Sequence, residues 1–204
     1  MDLLEQAIAA AKELMKARYV LHIQRGTENK TIYLKFYKRA FYHLFGFHKI
    51  KEIDTLFAKK RKSIAFRAIS SNNKLLEAIT RSSSFKQIES RLVCLCLFEK
   101  VMGMENVELF KKLGTIGTIP TLIAFDYLLS VTYGNNRLFY FFVKENESEC
   151  APISLFIDNR LSYEIKHQRW DVIRIRKESA PNFFRGEGGL QTSLGDFSHM
   201  PKLP

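Results

Sequence analysis

The stretch Phe41-Tyr42-His43-Leu44-Phe45-Gly46-Phe47-His48-Lys49-Ile50 sets two histidines and a lysine inside a run of aromatic and aliphatic residues. Imidazole and ammonium groups are the side chains that act as acid, base and phosphate clamp near neutral pH. Gly46, between the histidines, allows a bend that a bulkier residue resists. On a straight helix the five-residue spacing turns the two rings roughly 140° apart. One imidazole is therefore expected to serve any site here, unless the chain bends at Gly46.

Upstream, Asp2 to Lys16 reads as a helix. Leu3, Leu4, Ala7, Ile8, Ala11, Leu14 and Met15 share a face, and Asp2 followed by Glu5 makes a capping start. Arg18 to Gln24 and Thr31 to Phe36 are strand-like, and the turn residues Gly26-Thr27-Glu28-Asn29 between them predict a hairpin. Its lysines Lys30, Lys35 and Lys38 face either a phosphate backbone or solvent.

Downstream, Lys59-Lys60-Arg61-Lys62 is the densest positive run. It is either an electrostatic contact for nucleic acid or a solvated helix face. Asn73 to Arg81 reads as a short helix. Ser84 with Gln87 is a capping box for a long helix, Phe85 to Met102, which is apolar nearly all round and ends at Gly103. From Asn106 the period shifts towards two. The predicted strands are Val107 to Lys111, Thr121 to Thr132, Leu138 to Lys144, Ala151 to Asp158 and Trp170 to Lys177. Gly134-Asn135-Asn136 is a hairpin turn, and Arg160 to Gln168 one or two helical turns. The connections between these strands are too short for helical crossovers. Helices followed by antiparallel strands predict an α+β fold, with N-terminal helices packed on a mainly antiparallel sheet.

The 204 residues suit one domain, expected over residues 1–178, with an irregular tail over 179–204 that a partner could order. Lys and Arg total 32 against 21 Asp and Glu, a net charge of +11, which favours a polyanion such as RNA or DNA. No apolar run is long enough to span a membrane, and Met1 to Glu5 does not read as a signal peptide. Cys94, Cys96 and Cys150 have no framework spacing and read as reduced cytosolic thiols rather than a zinc site. The P-loop, the Gly-x-Ser-x-Gly elbow and the His-Glu-x-x-His pattern are all missing.

The chain resembles the phage-associated barnase–EndoU–colicin–RelE-like nuclease domains, in the branch with a Phe-x-His-Leu-x-Gly signature. That signature stands here as Phe41-Tyr42-His43-Leu44-Phe45-Gly46. The similarity continues in Ile88-Glu89-Ser90-Arg91-Leu92, Asp126-Tyr127-Leu128-Leu129 and Cys150-Ala151-Pro152-Ile153-Ser154-Leu155-Phe156, and spans roughly Leu4 to Lys177. The segment Asn106 to Thr118 does not align. Leu155 interrupts an expected Ser-Phe-Phe, and Ser130-Val131-Thr132 stands where a lysine is expected. The resemblance implies a barnase/RelE-like fold and a metal-independent RNase with no cofactor. It also implies a phage or mobile-element origin and a role in a bacterial cytoplasm, as a toxin or effector. A protein antitoxin or other partner would then bind the tail from Arg185.

Such cleavage needs a base for the 2′-hydroxyl, an acid for the leaving 5′-oxygen and a cation for the phosphorane charge. His43, inside the signature, is the first candidate acid or base, and His48 the second. The alternative for His43 is a packed histidine bonded to a backbone carbonyl, and for His48 an exposed ring beside Lys49 and Lys51. Lys49, Lys51 and Arg91 are candidate phosphate ligands, although Arg91 on an apolar helix is expected to pair with Glu99, Asp126 or another acid. Asp126 and Glu164 are alternative bases, with Tyr127 and Ser154 as positioning groups. Asp126 and Tyr127 alternate on a regular strand, so both reach one site only across a bulge. The competing function is a non-catalytic basic module on the same fold that binds nucleic acid or protein.

Overall fold

Asp2 opens the first helix as the sequence predicts. Its carboxylate accepts from the Glu5 N–H while the Glu5 side chain accepts from the Asp2 N–H, and α1 (Leu3–Leu14) follows. The computed structural model describes residues 2–113, 123–133, 137–146, 149–158 and 167–179. The hairpin comes next, as β1 (Ala17–Arg25) and β2 (Glu28–Lys35) in antiparallel register, turning at Gly26. Five helices then precede the remaining strands: α2 (Lys38–Leu44), α3 (Lys51–Phe57), α4 (Lys62–Ser70), α5 (Asn73–Arg81) and α6 (Lys86–Met102).

The long helix forms where its apolar pattern places it, and no residue from Ser90 to Phe98 is exposed. Its start differs from expectation. Phe85 stands at the cap position in a helical conformation and gives no side-chain cap. Ser84 does not cap; Ser82 Oγ instead accepts from the Ser84 N–H, so the serine run folds into a turn that leads into the helix.

The strands β3 (Val107–Lys111), β4 (Tyr127–Tyr133), β5 (Arg137–Asn146), β6 (Glu149–Asp158) and β7 (Gln168–Ser179) complete a sheet ordered β1-β2-β6-β5-β4-β3-β7, which closes through the β7–β1 pairing. Six of the seven pairings are antiparallel, and only β2 with β6 is parallel, through Leu34 and Cys150. The predicted strand from Thr121 is shorter than expected, because Ile123 to Asp126 are irregular and pairing begins at Tyr127. The predicted turn at 134–136, most of the predicted helical turns at 160–168 with Glu164, and the tail from Arg185 lie outside the described residues. Gln168 itself belongs to β7. The fold is α+β, with helices packed on a mainly antiparallel sheet.

The core forms where α6 meets the sheet. Phe98 lies edge-on to Tyr19 of β1, Phe36 and Phe141 of β5, at centroid distances of 5.2, 4.8 and 5.0 Å. Burying an aromatic ring of this size contributes about 1.5–3 kcal/mol. Phe41, Phe45 and Phe66 extend that aromatic layer onto α2 and α4. Most of the opening stretch is therefore core, and this fixes how its polar residues are presented.

Along β6 the inward alternation changes phase. Cys150 faces the core before Pro152, and Leu155 and Ile157 face it afterwards. The β5 partners run Phe142↔Ser154 and then Val143↔Pro152, leaving Ile153 as the extra residue of a bulge. Proline cannot donate to a ladder and is tolerated at such a break. After this phase change Leu155 faces the main core and Phe156 the opposite side of the sheet.

Candidate active site

The six aromatic and aliphatic side chains Phe41, Tyr42, Leu44, Phe45, Phe47 and Ile50 are buried, while His43, His48 and Lys49 point outward. The chain does bend at Gly46. α2 ends at Leu44, Gly46 takes a left-handed conformation with φ +81°, and a single 3-10 turn carries Phe47 to Lys49. The bend overturns the expectation that the histidines diverge, because their ring centroids lie 5.1 Å apart. Two imidazoles at that separation can each bring a nitrogen within about 3 Å of one phosphate group.

Beneath the bend lies Arg91 of α6, only 8% exposed. Its Nη1 donates to the His43 carbonyl and to the Ser154 hydroxyl, both at 3.3 Å. The expected acidic partner does not exist: among the described residues Arg91 has no carboxylate, and Glu99 instead binds Tyr19 and Lys177. The Phe142–Val143 bulge delivers Ser154 to the guanidinium. Burial pushes the Arg91 pKa down, the direction expected for a cation taken out of water without a counter-charge. A buried guanidinium without a carboxylate is a receptor for an outside anion.

The same environment disfavours protonated imidazoles. Desolvation lowers the His43 pKa, Lys62 and Arg91 lower it further, and Asp54 opposes them. His48 is pushed down to about 4 by desolvation, then by His43, Arg91 and Lys49. Asp54 accepts from the Tyr42 hydroxyl at 3.0 Å, and Lys62 lies over the Tyr42 ring at 4.2 Å and 3.9 Å from the Asp54 carboxylate. Neither Asp54 nor Tyr42 was singled out from the sequence. Their pairing joins residues 12 apart across the bend, and no local periodicity announces it.

The other candidates divide. Tyr127 is buried in a network with Lys30 and Glu145: Lys30 Nζ reaches its hydroxyl at 2.5 Å, and the hydroxyl reaches Glu145 Oε2 at 3.3 Å. Asp126 pairs with Lys144 at 3.0 Å and accepts from the Glu145 N–H at 2.8 Å. Asp126 precedes β4 and Tyr127 opens it, and Glu145 touches Tyr127 through its side chain and Asp126 through its backbone. Neither network contains a histidine. Lys144 reaches Asp126 from the neighbouring strand and lines a cleft together with His43. Lys59 to Lys62 is not a helix face. It spans the α3–α4 connection and the first residue of α4; Arg61 and Lys62 line the cleft, whereas Lys59 and Lys60 do not. Lys49 and Lys51 are exposed beside His48.

The model of the phage-Barnase-EndoU-ColicinE5/D-RelE like nuclease4 family matches residues 3–180. The chain belongs to that family. The match begins in α1 and extends one residue past β7, so it includes every element described above. Family membership makes this a barnase/EndoU/RelE-like nuclease, with nucleic acid as its substrate class. Neither a curated protein nor a solved structure matches the chain. Among the described residues no three His, Cys, Asp or Glu side chains gather as metal ligands, and no helix is long and apolar enough to cross a membrane. The three cysteines are free, with Cys94 and Cys150 buried.

Proposed function

We propose that the protein is an endoribonuclease that cleaves RNA by metal-independent transesterification at the His43–His48 pair. The observation that carries this reading is the approach of the two rings to 5.1 Å above an arginine without a carboxylate partner among the described residues. A neutral imidazole takes the proton of the 2′-hydroxyl as its oxygen attacks phosphorus. The other imidazole, protonated, gives its proton to the departing 5′-oxygen. The products are a 2′,3′-cyclic phosphate and a 5′-hydroxyl, and the two rings have exchanged protonation states. Because the rings interact, their two protons belong to the pair rather than to either residue.

Arg91 supplies the positive charge for the phosphorane, and Lys49 adds a second cation at the rim. Ser154 fixes the guanidinium. Tyr127 and Asp126 act at a remove: Asp126 holds Lys144, which lines the cleft, and Tyr127 binds Glu145, the next residue along β5. The bound phosphodiester adds negative charge to that of Asp54, and it brings one histidine back to the protonated state that the acid role needs. The phage association in the family description supports a toxin or mobile-element effector working on cytoplasmic RNA.

The test is incubation of total bacterial RNA in EDTA with wild type and His43→Ala side by side. Cleavage by wild type alone, leaving 2′,3′-cyclic phosphate ends, supports the reading. Intact RNA in both lanes, with a salt-dependent gel shift, replaces it with a non-catalytic binding module.

A further inference from the structure

Beside the histidine pair a cleft of about 560 Å³ opens between the start of α2, the α3–α4 connection and the ends of β5 and β6. A volume of this order suits a ligand the size of one nucleotide. Arg39, Arg61, Lys62 and Lys144 line it together with His43, and its described lining contains no carboxylate. Arg39 and Arg61 have no acidic partner among the described residues.

The inner surface is of a different kind. Ala40, Ala151, Pro152 and Ile153 give it an apolar floor. Tyr37 lines it with the Arg39 guanidinium 5.5 Å and the Lys35 ammonium 5.4 Å from its ring centroid, and its hydroxyl is anchored on Glu149. A guanidinium plane held beside an aromatic ring is a surface on which a heterocycle stacks, and the surrounding cations suit the phosphates on either side of it. Asn146 adds an amide able to donate and accept at a base edge.

We propose that this cleft is a nucleotide subsite. It takes one unstacked nucleotide of a single-stranded nucleic acid and so places the neighbouring phosphate at His43 and His48. A base paired within a duplex has both faces stacked and cannot enter an apolar pocket of this shape without leaving the helix. The inference deepens the catalytic reading above, yet it is measurable without catalysis.

The experiment uses the full chain and a fluorescent single-stranded deoxyoctamer, which lacks the 2′-hydroxyl and is not consumed by transesterification. Anisotropy is read against salt concentration, with the matching duplex as comparator. The single strand is expected to bind at least about tenfold more tightly than the duplex. Arg39→Gln and Lys144→Gln are each expected to weaken it at least about fivefold, and each to reduce the slope of log affinity against log salt by about 0.7. Arg174→Gln, an exposed change on β7, is expected to do neither. A 5-iodouracil-substituted octamer is expected to crosslink to the peptide carrying Tyr37. Equal binding of duplex, an equal loss in Arg174→Gln, or crosslinks confined to other peptides would overturn the subsite. Octamer binding as predicted without RNA cleavage by wild type would overturn the catalytic reading alone. RNA cleavage without selective octamer binding would overturn this inference alone.

Discussion

A Cβ placed on Gly46 would stand 2.9 Å from Cδ of Arg91 and 2.9 Å from Cγ2 of Ile88. The bend that brings His43 to His48 and the arginine beneath them therefore share one contact. It exists only because residue 46 has no side chain. The positive φ of Gly46 adds a second reason for glycine at this position.

Gly46→Ala meets both obstacles. The left-handed conformation and the backbone-to-side-chain clash together are expected to cost roughly 2–4 kcal/mol. Urea denaturation followed by circular dichroism measures this through the midpoint. A variant as stable as wild type would show that the bend is not held as described.

Arg91→Met separates stability from ligand binding. The substitution removes a buried charge that no carboxylate among the described residues balances, and it gives up two hydrogen bonds near the long end of the usual range. Unfolding free energy is expected to fall by less than about 1 kcal/mol, or to rise. Inorganic phosphate should raise the melting temperature of wild type by mass action and leave that of Arg91→Met unmoved. An equal phosphate response in both proteins would place the anion elsewhere.

The depressed His48 pKa predicts a direction for acid stability. In the unfolded chain the ring takes up a proton near its ordinary pKa of about 6.5. In the folded chain it does so at about 4. Between those values the unfolded state binds more protons, so stability falls as pH drops through the window. His48→Gln should flatten this part of the pH profile. Proton NMR should place the wild-type His48 midpoint at about 4 and move it upward when phosphate is added. A midpoint unmoved by saturating phosphate would remove the charge coupling on which the acid role depends.

Tyr127→Phe tests how far the chemistry extends along the sheet. Its hydroxyl joins Lys30 and Glu145, whose own 2.8 Å ion pair survives the change. A loss of about 1 kcal/mol in stability is expected. Cleavage of a diribonucleotide should fall far less than in His43→Ala. A loss as large as that of His43→Ala would move Tyr127 into direct contact with the reacting phosphate.

Local pattern carried much of the architecture. Asp2 and Glu5 start α1, Gly26 turns the hairpin, Asn73 to Arg81 is a helix to the residue, and the strand alternation from Val107 onward yields the antiparallel order. These features depend on residues within a few positions of one another, and period and turn chemistry report them directly. The helix start at Phe85 escaped because a serine turn and a capping box differ only in which N–H the hydroxyl meets.

The candidate site was legible as residue types and not as an arrangement. The sequence by itself determined that His43, Gly46 and His48 would be close along the chain, that Arg91 would sit on an apolar helix, and that the protein would carry excess positive charge. Only the tertiary structure decided that the two rings converge, that Arg91 meets a carbonyl and a hydroxyl rather than an acid, and that Lys144 and His43 line one cleft. The reason is physical. A backbone bend is a local event, but its direction is fixed by what packs against it. Here that is Ile88 and Arg91, more than 40 residues further along the chain. Ser154 reaches the guanidinium only after a bulge at Ile153 has shifted the phase of β6. Charge pairing across such distances has no signature in the order of residues, because it forms only when the core has closed.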